Sequence, residues 1–427
     1  MISMKRTGTL AKAATVLSVS ALALTGCGGG DSASADGDVE LRFAWWGSDT
    51  RHQQTQEIID AFEEQNPGVT VTGEYGDFGG YWDKLATQTA SNDAPDIIQM
   101  DEKYLREYAD NGALLDLSEM DLGEIDEDVL ESGRTEEGLF GVATGINALA
   151  MMANPALFEE AGVELPDDTT WTWDDFSTIS QQITENTDAY GAGGPNEPGG
   201  FQIWLRQQDK ELTTAEGELG FEEADAAEYL GMLREMVQNG ALPPASVVTE
   251  DQAPGPDQSL TGTNGAAMGA WWTNQLSALN AASGNELVPL RFPSTDGSEG
   301  GAQLFHKSAM FMSGSARTEH PEEVREFIDF MVNSEEAGRI NLADRGLPAN
   351  ESVREAVLPE LSEADTAAAE FVEEIEPELG DPMPVPPLGF STLQEILYRY
   401  ELEVFFDRSS PEDAARSMIA EMETAIG

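Results

Sequence analysis

Val39-Glu-Leu-Arg-Phe-Ala-Trp-Trp46 alternates between polar and apolar residues and then runs apolar, as a strand does on entering a core. Gly47-Ser48-Asp49 breaks it, and the spacing of Ile58, Ile59 and Phe62 predicts a helix that ends before Asn66-Pro67-Gly68. Val69-Thr-Val-Thr-Gly-Glu-Tyr75 alternates again as a second strand. A helix over 81–91 follows, then Ala94-Pro95, a third strand Asp96-Ile-Ile-Gln-Met100, and a helix over 104–112. Strands alternating with helices predict a parallel sheet covered by helices. In such sheets ligands sit beyond the carboxyl ends of the strands.

Upstream of this unit, Lys5, Arg6 and Lys12 flank the start of an apolar run, Ala13-Thr-Val-Leu-Ser-Val-Ser-Ala-Leu-Ala-Leu24, which Leu24-Thr25-Gly26-Cys27 closes. These are the parts of a bacterial export signal. The run is shorter than the roughly 20 apolar residues that cross a bilayer. Leu-Thr-Gly-Cys resembles the lipobox of lipoprotein signal peptides, which implies that residues 1–26 are removed and that Cys27 carries lipid. An ordinary cleavable signal with an incidental cysteine is the alternative. Residues 27–38 are glycine-rich and polar, with almost nothing to bury, and read as a flexible tether. The expected location is the outer face of the cytoplasmic membrane, held there by lipid alone. Cys27 is the single cysteine, so nothing is left for a disulfide, a thiolate metal site or a thiol nucleophile.

Composition limits the partners. Eighty Asp and Glu residues face 22 Lys and Arg, a net charge of −58. Anionic lipid and nucleic acid are disfavoured by that sign. Lysine is scarce beside arginine and the carboxylates are spread along the whole chain, which reads as a haloadapted surface whose mutual repulsion salt would screen. A calcium-rich protein is the alternative, and its Asp-x-Asp-x-Asp-Gly loop with a terminal Glu does not occur. With 40% hydrophobic residues the chain can build sizeable cores, and its length suits two or more domains.

Several motifs in order carry a resemblance to a family. Trp45-Trp46-Gly47 closes the first strand, Phe62-Glu-Glu-Gln-Asn-Pro67 the first helix, and Tyr81-Trp82-Asp83-Lys84-Leu85 and Ala94-Pro95-Asp96-Ile97-Ile98 follow. Further on come Gly141-Val-Ala-Thr-Gly-Ile-Asn147, Thr172-Trp173-Asp174-Asp175-Phe176, Gly265-Ala-Ala-Met-Gly-Ala-Trp271-Trp272, Gly346-Leu-Pro348 and Ser410-Pro411-Glu412-Asp413-Ala414-Ala415. Their order over nearly all of the chain resembles the carbohydrate-specific solute-binding proteins of bacterial ABC importers, of the maltose-binding-protein type. The resemblance implies an α/β, two-lobed periplasmic-binding-protein fold of type II, with hinge strands joining the lobes. It puts 39–145 with 305–345 in one lobe and 146–304 with 346–427 in the other, and crossings near 141–152, 301–311 and 345–348. It also implies an oligosaccharide ligand, ABC permease subunits as membrane partners, a monomer, and no cofactor or metal.

A sugar ring offers an apolar face and a rim of hydroxyls, so its site needs aromatic platforms ringed by carboxylates, amides or guanidinium groups. Alternation lets one of Trp45 and Trp46 face a cleft, and Trp46, nearer the strand end, is the candidate. Arg51 and His52 follow it, with a surface role as the alternative. Tyr81 and Trp82 flank a Gly-Gly turn beside Phe78 and could instead be core. Asp101 ends the third strand, where it could meet ligand hydroxyls or cap the next helix. Asn147 falls in the first crossing. Glu197, with Asn196, Phe201 and Trp204, belongs to a Gly/Pro-rich loop whose alternative is plain exposed chemistry. Trp271, Trp272 and Asn274 follow a small-residue strand, with Trp272 favoured over its neighbour. His306, beside Phe305, and Arg345 accompany the later crossings, and Arg345 could simply pair with nearby acids. The number of aromatic candidates points to two or more sugar rings.

Enzyme activity is not expected. There is no Gly-x-Ser-x-Gly elbow, no His-Glu-x-x-His and no phosphate loop. No carboxylate pair stands out as a glycosidase would need, and three histidines, none closely spaced, argue against zinc. Two other readings remain: the same fold binding a glycerophosphodiester, polyamine or peptide, and a surface sensor accessory without an importer.

Overall fold

A computed structural model describes residues 38–194, 198–214, 216–251, 255–379, 383 and 385–427. The export signal, Cys27 and the tether as far as residue 37 lie outside the described residues.

The opening unit forms as a parallel sheet. Strands β1 (Val39–Trp46), β2 (Val69–Gly76) and β3 (Ile97–Met100) alternate with helices α1 (Asp49–Gln65), α2 (Phe78–Ala90) and α3 (Glu102–Asp110). β1 lies between β2 and β3 and is parallel to both. Ser48 starts α1 by accepting from the Arg51 N–H, and Asn66 ends it with its side-chain amide on the Phe62 carbonyl. Helices α2 and α3 begin earlier than expected because carboxylates cap them. Asp77 accepts from the Gly80 N–H and Asp101 from the Lys103 N–H, so Gly79-Gly80 is the first turn of a helix rather than a connector.

Strand Phe311–Gly314 joins β3 antiparallel and Val142–Ala143 pairs antiparallel with it in turn, giving the order β2, β1, β3, Phe311–Gly314, Val142–Ala143. Its buried side chains, among them Phe43, Ile58, Phe62, Ile97 and Phe327, form one apolar cluster. The second sheet is assembled around a single strand, Gly145–Ala153, buried at all nine positions. Four short strands pair with it, all antiparallel: His306–Ser308, Leu347–Pro348, Met268–Trp272 and Val288–Leu290. A second apolar cluster surrounds it, fed by the helices over Trp173–Asn186, Pro198–Arg206, Glu223–Asn239, Glu363–Ile375, Leu393–Phe405 and Pro411–Ile426. The architecture is α/β and two-lobed, with a separate sheet and core in each lobe.

The chain passes between the sheets at 143–145 and 308–311, reaches the second sheet again at Leu347–Pro348, and returns from there to the first lobe. The passing segments bond to one another: Thr144 N–H donates to Met310 O, Ala309 N–H to Gly145 O and Ala349 N–H to Thr144 O. They approach so closely that a Cβ on Gly145 would sit 2.5 Å from the Arg345 carbonyl oxygen. Two segments depart from the expected lobe limits. His306–Ser308, expected with the first lobe, pairs with Gly145–Ala153, because its ladder to Ile146, Asn147 and Ala148 forms before the chain turns back. Helix Glu351–Val357, expected with the second, packs on Glu335–Asn341 of the first, where Gly338 leaves room for Val353.

Among the described residues, no helix is long and apolar enough to cross a membrane.

Candidate functional site

Beyond the carboxyl end of β3 the start of α3 faces the second sheet across a cavity of about 550 Å³. The first lobe contributes Glu102 and Lys103 from α3, Asp126, the helix α4 (Glu127–Glu131) and Ser132. The second contributes Ile146, the start of helix Pro198–Arg206, Trp272, residues 305–308 and a C-terminal wall that includes Leu379, Met383, Phe390 and Gln394.

Trp272 ends strand Met268–Trp272, and its ring stands edge-on to Phe305 with centroids 6.2 Å apart. The Lys307 ammonium lies 4.9 Å from the Trp272 ring centre and 2.8 Å from a Glu102 carboxylate oxygen, so one side chain joins both walls. Three further contacts span the lobes: Lys103 Nζ donates to Gln394 Oε1 at 3.0 Å, Arg106 to the Val385 and Pro386 carbonyls, and Ser132 Oγ meets Ser308 Oγ at 2.6 Å. The lining carries five carboxylates, Glu102, Asp126, Glu127, Asp128 and Glu376, against the two ammonium groups of Lys103 and Lys307.

Two lining groups hold a buried polar atom with no hydrogen-bond partner among the described residues. Gln202 is 2% exposed; its Oε1 accepts from the Leu212 N–H at 2.7 Å, while its Nε2 has no acceptor. His306 Nε2 is likewise unpartnered. Burial, helped by the charge of Arg354, pushes the His306 pKa down to about 4 against an opposing backbone bond to Val372, so the ring is neutral at ordinary pH.

Of the described residues singled out from sequence, Trp272 and His306 line this cavity, as does Phe305, and the others are placed elsewhere. Trp46 is buried among Phe78, Tyr81 and Trp82, with ring centroids 5.2 to 5.4 Å away. Tyr81 is core, its hydroxyl donating to the Gln99 carbonyl at 2.6 Å, and Trp82 stacks on Tyr104 at 4.0 Å. Arg51 is paired with Asp344, and His52 accepts from Trp45 Nε1 while its ring lies against Tyr75. Asp101 caps α3, and the adjacent Glu102 takes the lining position. Asn147 is buried in the central strand opposite Lys307, Trp271 donates to Thr261 Oγ1, and Asn274 sits in the turn Thr273–Gln275.

Arg345 is fully buried rather than beside the cleft. Its guanidinium is used up inside the first lobe by Gln99, Asn341 and Thr55, and burial pushes its pKa down to about 9. Phe201 and Trp204 are core, and Glu197 and Asn196 lie outside the described residues. Sequence reasoning missed Lys103, Lys307, Gln202 and the C-terminal wall. For Gln202 a signal existed: Gly199 and Gln202, three apart, share a face of the helix whose Phe201 and Trp204 drew attention.

A two-lobed α/β protein with hinge segments and an aromatic-walled cavity between its sheets is, as a class, a ligand receptor. Residues 46–338 match the model for bacterial extracellular solute-binding proteins, and the chain belongs to that family, the substrate-binding components of ABC transporters. An uncharacterized lipoprotein in the oleD 5′ region of Streptomyces antibioticus is 26% identical over 354 residues, 78% of this chain and 75% of its own length. An extracellular solute-binding protein of family 1 from Alicyclobacillus acidocaldarius is 26% identical at a TM-score of 0.70, covering 91% of this chain and 99% of its own. A periplasmic oligogalacturonide-binding protein from Yersinia enterocolitica, solved with saturated digalacturonic acid, shares the fold at 20% identity and a TM-score of 0.78, over 91% of this chain and all of its own.

Proposed function

We propose that this chain captures an oligosaccharide in the cavity between its lobes and delivers it to the permease of an ABC importer. The observation that carries the reading is the aromatic wall of Trp272 and Phe305 inside a cavity of about 550 Å³ ringed by amide, hydroxyl and carboxylate groups. That volume lies in the range of small-molecule sites, and stacked apolar faces with a polar rim are what sugar rings require. The oligogalacturonide ligand of the Yersinia protein is in keeping with it. Lobe closure over the ligand would tell the permease loaded from empty receptor, because a ligand touching both walls favours the closed state. The lipid on Cys27 would keep the receptor near that permease.

The five carboxylates of the lining favour a second reading, a polyamine ligand. Thermal-shift screening in molar salt against plant and microbial oligosaccharides, with spermidine as a comparison, separates the two. A saccharide that raises the melting temperature is the expected result. A shift with spermidine and with no saccharide would overturn the sugar reading.

A further inference from the structure

Resting on the sugar reading, we propose that Gln202 and His306 are the specificity-determining pair of the cleft and that they read hydroxyl groups of an uncharged saccharide. Both belong to the second-lobe wall, on separate elements: Gln202 on helix Pro198–Arg206 and His306 on the strand paired with Gly145–Ala153. They line the same cavity as Trp272 and Phe305. An unpartnered polar atom in a protein interior is destabilising, so such atoms are conspicuous when two of them fall at one site. Here the two orphans are complementary in kind. The Gln202 amide nitrogen is a donor, because its oxygen is already fixed by the Leu212 N–H. A neutral imidazole has one donor and one acceptor nitrogen; with the donor turned to the Val372 backbone, His306 Nε2 is the acceptor. A sugar hydroxyl both donates and accepts, and satisfies either group.

A carboxylate fits this wall poorly. It only accepts, so it can meet the Gln202 donor but offers nothing to the His306 Nε2 acceptor, and it would enter a lining whose acids outnumber its ammonium groups. Lys307 is held by Glu102, and Lys103 donates to Gln394. The ring of His306 stays neutral in its buried setting and supplies no counter-charge. The site thus selects against uronic acid oligomers, although a relative of the same fold binds one.

Titration calorimetry of the full chain in molar salt tests this, with maltotriose, cellotriose and xylotriose as uncharged probes and trigalacturonic acid as the anionic one. An uncharged trisaccharide should bind at least 100-fold more tightly than trigalacturonate. Gln202→Glu keeps an oxygen for the Leu212 N–H and removes only the donor; it and His306→Phe should each weaken that binding tenfold or more. Should either variant fail to fold, monodeoxy analogues of the bound trisaccharide on the unaltered protein give the same information, with a tenfold loss at one or more hydroxyls. Equal binding by the variants, or by every deoxy analogue, would overturn the pair's role. Trigalacturonate binding as tightly as the uncharged probes would overturn the selectivity and leave the sugar reading standing. Spermidine binding with no saccharide bound would overturn both.

Discussion

Glu401 is fully buried in the second lobe, and neither of its carboxylate oxygens has a partner among the described residues. Burial alone pushes its pKa up to about 8. The folded chain therefore holds this proton more tightly than the unfolded chain. The stability it brings is complete below the ordinary glutamate pKa near 4.5 and is lost as pH rises through about 8, at about 1.4 kcal/mol per pH unit at most. Glu401→Met, which fills similar space without an ionisable group, should raise the melting temperature more at pH 8 than at pH 5. Calorimetric scans at the two pH values check it, and an equal effect at both would contradict the assignment. The contrast with Arg345 is instructive: that guanidinium is as deeply buried, yet Gln99, Asn341 and Thr55 receive its hydrogens.

Among the elements, the βαβαβ unit was legible because its signals are local: alternation in β1 and β2, helical spacing in α1, turn residues between. The second sheet was less so. Its strands flanking Gly145–Ala153 are two to five residues long and come from far apart in the chain, so no window of sequence carries their pairing. The same limit governs the site. Trp46 and Tyr81 have the aromatic chemistry of a sugar platform and lie near strand ends, but whether a ring faces a cleft or a core depends on the helix laid over it, here α2. Lys307 and Glu102 are some 200 positions apart and meet through lobe geometry alone. Where the hinge segments meet, backbone conformation decides. Gly346 has φ +84° and a Cβ there would lie 2.8 Å from the Ala309 Cβ. Gly346→Ala should thus destabilise the fold by about 2 kcal/mol or more, as left-handed strain and overpacking combine. Urea unfolding measures it, and an unchanged midpoint would contradict the packing described.

Across the whole molecule, 80 acidic against 22 basic side chains leave a surface of like charge. The ion pairs that exist are mostly arginine to carboxylate, and Arg291 gathers three acids, Asp168, Glu374 and Glu378, in the second lobe. The rest repel one another, and at molar salt screening confines that repulsion to about 3 Å. The melting temperature should climb steadily from low salt to molar sodium chloride; a flat response would remove the case for haloadaptation. Contacts from α3 to Lys307, Gln394 and the 385–386 backbone join the lobes around the cavity.

The receptor account turns on Trp272. Titration calorimetry of the unaltered chain and of Trp272→Ala, with the saccharide that gives the largest thermal shift, tests it most directly. The expected result is binding weakened at least tenfold by the loss of the platform, consistent with stacking worth about 1 kcal/mol or more beyond the buried area. Saccharide binding of equal strength in both proteins would place the ligand elsewhere and contradict the account.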